Sequence, residues 1–362
     1  MSAEIPSESG GKMSSVDELQ KIAEPTISVK ETLIQDYFQP CRDAAKVYEL
    51  HRETLRQEGK FKEGEFLPLD LDQKTLKKIY RKGNRQLKFT GPIDVYNNTK
   101  PFLSNGETYI AARVEPRDLN FHSKVVFFKK ISEKWIAQEE PTFGLEDPFI
   151  TTINGELVFG GVQTFTDGQG NFTGLQTVLY KGKSLNDLKE FARGPVGQKD
   201  IRLIGLKDGR IGIFTRPQTG KFGRGQIGFT IVDSLDMVNE QVITEAPLLK
   251  EIFLPEEWGG VNGAILLEDG SILAVAHRAY EDDDGRHYFG WLFILYPDTG
   301  MVKELGIVTE SSDFPDGPAR SDKLRFVFFS EGLDRIGDGW AYLYGGVRDA
   351  KSGRKLIPDP LL

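Results

Sequence analysis

The chain has 362 residues, 39% apolar and 28% charged, with a net charge of −8, a balance that suits a water-soluble protein with a large core. It shows neither the basic stripe of a nucleic-acid binder nor the run of roughly 20 apolar residues that spans a bilayer. Cys41 is the only cysteine, so no internal disulfide forms, and a reducing, cytosolic compartment is expected.

Residues 1–15 are polar and rich in Gly and Ser, lack the apolar core of a signal peptide, and read as a disordered tail. Residues 16–87 read as a helical extension. Leu33, Ile34, Tyr37, Phe38, Cys41, Ala44, Ala45 and Tyr48 recur at spacings of three and four, and Leu76, Ile79 and Tyr80 form a second stripe over 72–82. The cations of that second segment (Lys74, Lys77, Lys78, Arg81, Lys82, Arg85) read as a solvated face. The extension is expected to pack on the rest of the chain or to pair two copies into a homodimer. From 88 to 362 the pattern is all-β.

Five Asn-Gly or Asp-Gly pairs of that region are read as the turns between apolar, β-prone stretches: Asn105-Gly106, Asn154-Gly155, Asp208-Gly209, Asp269-Gly270 and Asp338-Gly339. Such pairs supply the positive φ angles of tight hairpins. They lie 49, 54, 61 and 69 residues apart, the length of one four-stranded propeller blade with its loops. The expected fold is a five-bladed β-propeller over 88–362.

Seven residues before each turn stand Asn98, Asp147, Ile201 (beside Asp200), Asn262 and Glu331. Some eight residues after the turns stand Arg113, Gln163, Arg216 and His277, and Arg348 follows at ten. In an antiparallel hairpin these positions lie side by side, roughly 20 Å from the turn. Five hairpins around one axis would gather them at one mouth.

Three segments carry the densest chemistry. In Glu146-Asp147-Pro148 the proline keeps Asp147 extended and out of a helix, where a carboxyl among other carboxylates suits a general acid. Lys199, Arg202, Arg216 and Arg224 surround Asp200, as ion pairs or as a cradle for a carboxylate or phosphate. Trp258-Gly259-Gly260-Val261-Asn262-Gly263 combines close backbone approach with an indole face for a sugar. No metal site is expected: His51, His122, His277 and His287 are scattered, and Glu281-Asp282-Asp283-Asp284-Gly285 lacks calcium-loop spacing. No cofactor is expected either.

Asp94-Val95-Tyr96-Asn97-Asn98, Ala112-Arg113-Val114-Glu115, Leu145-Glu146-Asp147-Pro148-Phe149, Lys199-Asp200 and Tyr344-Gly345-Gly346-Val347-Arg348-Asp349 follow one another in a familiar order. In this the chain resembles the five-bladed β-propeller glycosidases over 88–362, above all the β-mannoside phosphorylase and mannosidase family. The resemblance implies that Asp147 is the proton donor, that Arg113 binds near the reaction centre and that Asp94 is the base or nucleophile. The family motif continues Glu-Asp-Pro-Arg where this chain has Phe149, which removes one basic contact and weighs against phosphorolysis.

The expected function is therefore glycoside hydrolysis of a small, manno-configured oligosaccharide or glycoside. Asp147 acts as acid and Asp94 or Asp200 as base or nucleophile. Asn98, Arg113, Glu146, Lys199, Arg202, Arg216, Arg224, Trp258, Asn262, His277, Glu331 and Arg348 hold substrate. The second reading is a phosphorylase using inorganic phosphate, and the third a non-catalytic sugar-binding propeller. Membrane and nucleic acid are not expected partners.

Overall fold

The computed structural model describes residues 38–81, 90–218 and 220–362. The expected tail at 1–15, and the extension before 38 and after 81, lie outside the described residues. Helix α1 (Cys41–Gln57) buries Cys41, Ala44 and Tyr48, one face at spacings of three and four. It stops at Gly59, whose φ of +69° reverses the chain. The docked face also carries charge: Asp313 accepts from Tyr48 Oη at 2.5 Å, buried Lys355 at 2.6 Å and Arg52 at 3.2 Å. Strands β1 (Glu65–Phe66) and β2 (Leu69–Asp70) follow, then α2 (Gln73–Arg81). Asp72 caps α2 by accepting from the Lys74 and Thr75 amides, and Leu76, Ile79 and Tyr80 face inward. Lys74, Lys77 and Lys78 are exposed, the solvated face expected.

The rest is mostly strand, in five consecutive antiparallel meanders among the described residues. The first comprises β3 (Ile93–Tyr96), β4 (Phe102–Ser104), β5 (Glu107–Pro116), β6 (Lys124–Ile131) and β7 (Lys134–Phe143). The second runs through β8 (Glu146–Ile153), β9 (Glu156–Thr166), β10 (Phe172–Gly182) and β11 (Lys189–Arg193). The third is β12 (Arg202–Gly205), β13 (Ile211–Thr215) and β14 (Gly228–Val232). After α3 (Glu240–Glu245) comes the fourth: β15 (Trp258–Leu266), β16 (Ile272–Asp282), β17 (Gly285–Tyr296) and β18 (Met301–Thr309). The fifth is β19 (Phe326–Gly337), β20 (Trp340–Val347) and β21 (Lys351–Pro358). Strand β1 pairs with β21 as a fourth strand of this last meander, and β21 also meets β3 of the first through Lys351 and Val95.

All five expected hairpin turns form, by two routes. At Asn105-Gly106, Asn154-Gly155 and Asp338-Gly339 both residues take positive φ in a two-residue loop. At Gly209 and Gly270 only the glycine does, closing three-residue loops in which Asp208 and Asp269 accept from the amide two residues on.

Apolar clusters fill the gaps between successive meanders. Phe127 of the first meets Phe159 of the second; Ile153 and Leu203 join second to third, Phe214 and Trp291 third to fourth, and Leu292 and Phe328 fourth to fifth. Tyr344 of the fifth packs with Ile110 and Val114 of the first. A cavity of about 270 Å³ is lined by all five, from Thr99, Ile150, Leu203, Ala264 and Leu333 among others.

Candidate active site

Sequence rules for a strand break down at the ends of the first strands. β8 carries a bulge between Glu146 and Phe149, β15 one between Val261 and Gly263, and β19 one between Ser330 and Gly332. A bulge re-aims the residue it contains, here Asp147, Asn262 and Glu331. Asn97, Asp147 and Asp200 have φ of +47°, +46° and +56°. Asn and Asp tolerate that left-handed region better than other side chains, and its use away from a turn marks functional strain.

Asp147 is buried among donors. Its Oδ1 accepts from Asn97 Nδ2 at 2.7 Å and Arg113 Nη1 at 3.2 Å, and Lys199 Nζ lies 3.7 Å from Oδ2. Burial opposes its charge, but Arg113, Lys199 and the Asn97 amide outweigh that and hold the carboxyl below its ordinary range. Its neighbour Glu146 behaves oppositely. Arg113 Nη2 is 3.0 Å away and Ser123 Oγ 3.4 Å, yet burial pushes Glu146 up to about 7, with Asp147 and Glu115 adding to the rise. Two adjacent carboxyls driven apart in this way divide the roles of proton holder and charged partner.

Asp200 is fully buried. Arg216 Nη1 donates to it at 2.6 Å, Arg202 stands at 3.5 Å, and with Lys199 these cations overcome burial to keep it ionised. Arg216 also donates to Gly259 O and Arg224 O, which fixes its guanidinium against Asp200. Arg202 donates to Asn262 O and Ile201 O, and its guanidinium lies over the Phe149 ring at 4.8 Å. The phenyl ring that replaces the family's arginine thus has a guanidinium stacked on it.

Glu331 is buried, 3.9 Å from Arg202, and burial drives its carboxyl well above the usual range, reinforced by Asp147 and Asp200. His277 is held neutral by burial and by the charges of Arg216 and Lys199. The Asn262 amide is best satisfied with its nitrogen toward His277 Nδ1 (2.7 Å) and Ser330 O (3.3 Å), which leaves the imidazole proton on Nε2. Asn97 Oδ1, Gln198 Oε1, Asp200 Oδ1, Arg202 Nη2, His277 Nε2 and both Glu331 oxygens are buried with no hydrogen-bond partner among the described residues.

Other expected site residues are engaged elsewhere. Asp94, the expected base or nucleophile, is clamped by Arg117 at 2.5 and 2.9 Å and by Arg320 at 3.4 Å, an ion cluster beside the site. Asn98 accepts from the Gly353 amide and donates to Thr99 O; its neighbour Asn97 is the one that reaches Asp147. Trp258 offers no open platform: it is buried, its Nε1 donates to Tyr288, and Arg224 covers it at 4.1 Å. Arg224 pairs with Glu281 at the surface. Arg348 turns away to donate to Pro315 O and Ser311 O, and the following Asp349 faces Arg113, Lys199 and Asp147 instead, its carboxyl raised by burial. Asn97, Ser123, Gln198 and Asp349 were missed. Asn97 and Asp349 neighbour chosen positions, and the fondness of Asn and Asp for positive φ was the available signal. Among the described residues, no group of three or more His, Cys, Asp or Glu side chains gathers to hold a metal, and no helix is long and apolar enough to cross a membrane.

The fold has solved counterparts. The chain is similar to a mannose phosphorylase from Leishmania mexicana in complex with phosphate ion, at 31% identity and a TM-score of 0.75, over 88% of this chain and 95% of that one. A GDP-Man-dependent mannosyltransferase from the same organism is similar at 33% identity and 0.73, over 86% and 93%. The beta-1,2-mannobiose phosphorylase of Listeria innocua, at 16% identity and 0.56 over 75% and 92%, shares the fold. Comparison with curated proteins finds no match. The resemblance in the motifs thus extends to the structure, and over residues 72–362 the chain belongs to the family described as protein of unknown function (DUF1861).

Proposed function

We propose that this chain is a mannoside phosphorylase, a five-bladed β-propeller whose axial site moves a mannosyl group between phosphate and a sugar. Closure into a ring is supported by the β21–β3 bridge, by β1 completing the last meander, and by a cavity that all five meanders line. The ring of partnerless polar atoms suits a polyhydroxylated ligand, because a buried donor or acceptor left unpaired is costly until a ligand satisfies it.

The observation that carries phosphorolysis over hydrolysis is the clamp of Arg113, Lys199 and Asn97 on Asp147. With no further anion Asp147 is ionised and unfit to donate a proton. A phosphate dianion bound beside Lys199 and Arg113 competes for both cations and adds negative charge, which raises the proton affinity of Asp147. Glu146, poised near 7, is the proton source. Phosphate oxygen attacks the anomeric carbon, the carbon–oxygen bond to the leaving sugar breaks, and the leaving oxygen takes the Asp147 proton. A neutral water nucleophile would leave the acid unarmed. The hydrolysis favoured by the sequence therefore takes second place.

Turnover of β-mannosides with and without phosphate, with released sugar read by proton NMR and sugar phosphate by phosphorus NMR, tests this. Phosphate-dependent release of a sugar 1-phosphate is expected, and equal rates in phosphate-free buffer would overturn it. The similarity to a GDP-Man-dependent enzyme motivates one further arm. If GDP-mannose serves as donor and mannose 1-phosphate does not, the chain is a nucleotide-sugar transferase. Sugar binding without turnover of any donor would leave a binding module.

A further inference from the structure

The indole expected to carry a sugar is buried, yet the loops on the side of the site opposite the hairpin turns display another apolar surface. Phe121, in the loop between β5 and β6, is 38% exposed; Phe172, where β10 begins, is 47% exposed. Their rings are 5.3 Å apart at 31°. Val196, 65% exposed, lies in the connection leading into Gln198, Lys199 and Asp200. The two rings in contact present an apolar, aromatic face to solvent.

The cluster is continuous with the site. Two residues after Phe121, Ser123 accepts from Arg113 Nε at 2.9 Å and reaches Glu146 at 3.4 Å. Phe121 has a φ of +62°, a costly conformation for a bulky side chain. Both supporting loops are tied down. Arg320 donates to Asn120 Oδ1 at 3.3 Å, and Asp167 accepts from the Gln169 and Asn171 amides at 2.8 and 2.9 Å. Rigid, exposed aromatic faces beside a pocket of polar atoms suit a pyranose, whose C–H face stacks while its hydroxyls point to donors and acceptors.

We propose that Phe121 and Phe172 form the platform for the leaving-group sugar, the acceptor in the synthetic direction, so that the substrate is at least a disaccharide. This rests on the phosphorylase reading above. The donor mannosyl group sits deeper, among Asn97, Asp147, Asp200 and His277, and the second sugar lies over the rim between the first and second meanders.

The test runs the full chain in the synthetic direction with mannose 1-phosphate as donor and mannose and mannobiose as acceptors. Phe121→Ala and Phe172→Ala are expected to raise the acceptor KM on the order of tenfold while the donor KM stays within twofold. Phe121→Trp and Phe172→Tyr should restore wild-type values. An unchanged acceptor KM overturns the platform. So does a shift from dimer to monomer in light scattering for both alanine variants, which would assign the pair to a second copy. If the wild type transfers nothing from mannose 1-phosphate, the phosphorylase reading fails by itself. Saturation-transfer NMR with mannobiose then decides the platform: a signal abolished in both alanine variants supports it, and an unchanged signal overturns it.

Discussion

At the turn end of the hairpins, Asn105, Asn154 and Asp338 take positive φ beside glycines whose Cβ positions are open space. At the site end, Asn97, Asp147 and Asp200 take nearly the same φ with Asn98, Pro148 and Ile201 beside them, and all three are buried. One conformation thus serves two purposes. At the turns it reverses a chain in water, where any residue tolerant of that φ will do. At the site it aims a polar side chain inward, where only the right functional group will do. Strain at the turns is relieved locally by glycine; strain at the site is held by ion pairs reaching across meanders, such as Arg113 to Asp147 and Lys199 to Asp147. Substitutions at the two ends should accordingly fail in different ways.

The largest difference should appear at Asp147. Asparagine also tolerates positive φ, so Asp147→Asn should leave the fold intact while removing the proton carrier. Release of sugar 1-phosphate should fall by about 10²- to 10⁴-fold, with the circular dichroism close to wild type and a lower melting temperature from the lost ion pairs to Arg113 and Lys199. Turnover within tenfold of wild type would remove Asp147 from the chemistry and erase the functional half of the contrast.

Glu146 sharpens the contrast through pH. Its folded pKa, pushed up to about 7, lies above the unfolded value of about 4.3, so folding favours the protonated carboxyl. That contribution is fully present below the unfolded pKa and is lost as pH rises through the folded one. Glu146→Gln escapes this loss. Relative to wild type the variant should gain stability from pH 4 to 7, by on the order of 3 kcal/mol, with no further gain above. Thermal melts across that range check the sign, and a difference that shrinks with rising pH would reverse the assignment. In turnover, wild type should decline above about pH 7 as Glu146 loses its proton. The variant should be slower throughout and lack that limb.

The turn end was legible in the sequence because its rules are local. Five of the chain's Asn-Gly and Asp-Gly pairs announced their hairpins, while Asn262-Gly263 lies inside β15 at a bulge, and positions seven residues before those turns include Asp147, Asn262 and Glu331. The count worked because each first strand spans the same depth, but it could not see the bulges or the one-residue offsets. Seven residues before the first turn stands Asn98 and not Asn97, and ten after the last stands Arg348 and not Asp349. Trp258 and Asp94 failed for another reason. Whether an indole is covered by Tyr288 and Arg224, or a carboxylate is taken by Arg117 and Arg320, depends on loops far away in the sequence. The aromatic rim was invisible for the same reason, since Phe121 and Phe172 become neighbours only when two meanders meet.

The smallest effect belongs to the turn itself. Gly155 has a φ of +79°, and a methyl added to its Cα would have no atom within 4 Å, so Gly155→Ala meets no clash and only the backbone is strained. The cost should be about 1–2 kcal/mol, a drop of a few degrees in melting temperature. Asp147 lies at the other end of β8, roughly 25 Å away at about 3.3 Å per residue. Both kcat and the acceptor KM should therefore match wild type at temperatures where the variant is folded. If kcat falls along with stability, strain at the turn is transmitted up the strand to the bulge that aims Asp147, and the two ends form one mechanical unit. If only the melting temperature moves, the turn closes the hairpin and the bulge alone sets the catalytic geometry.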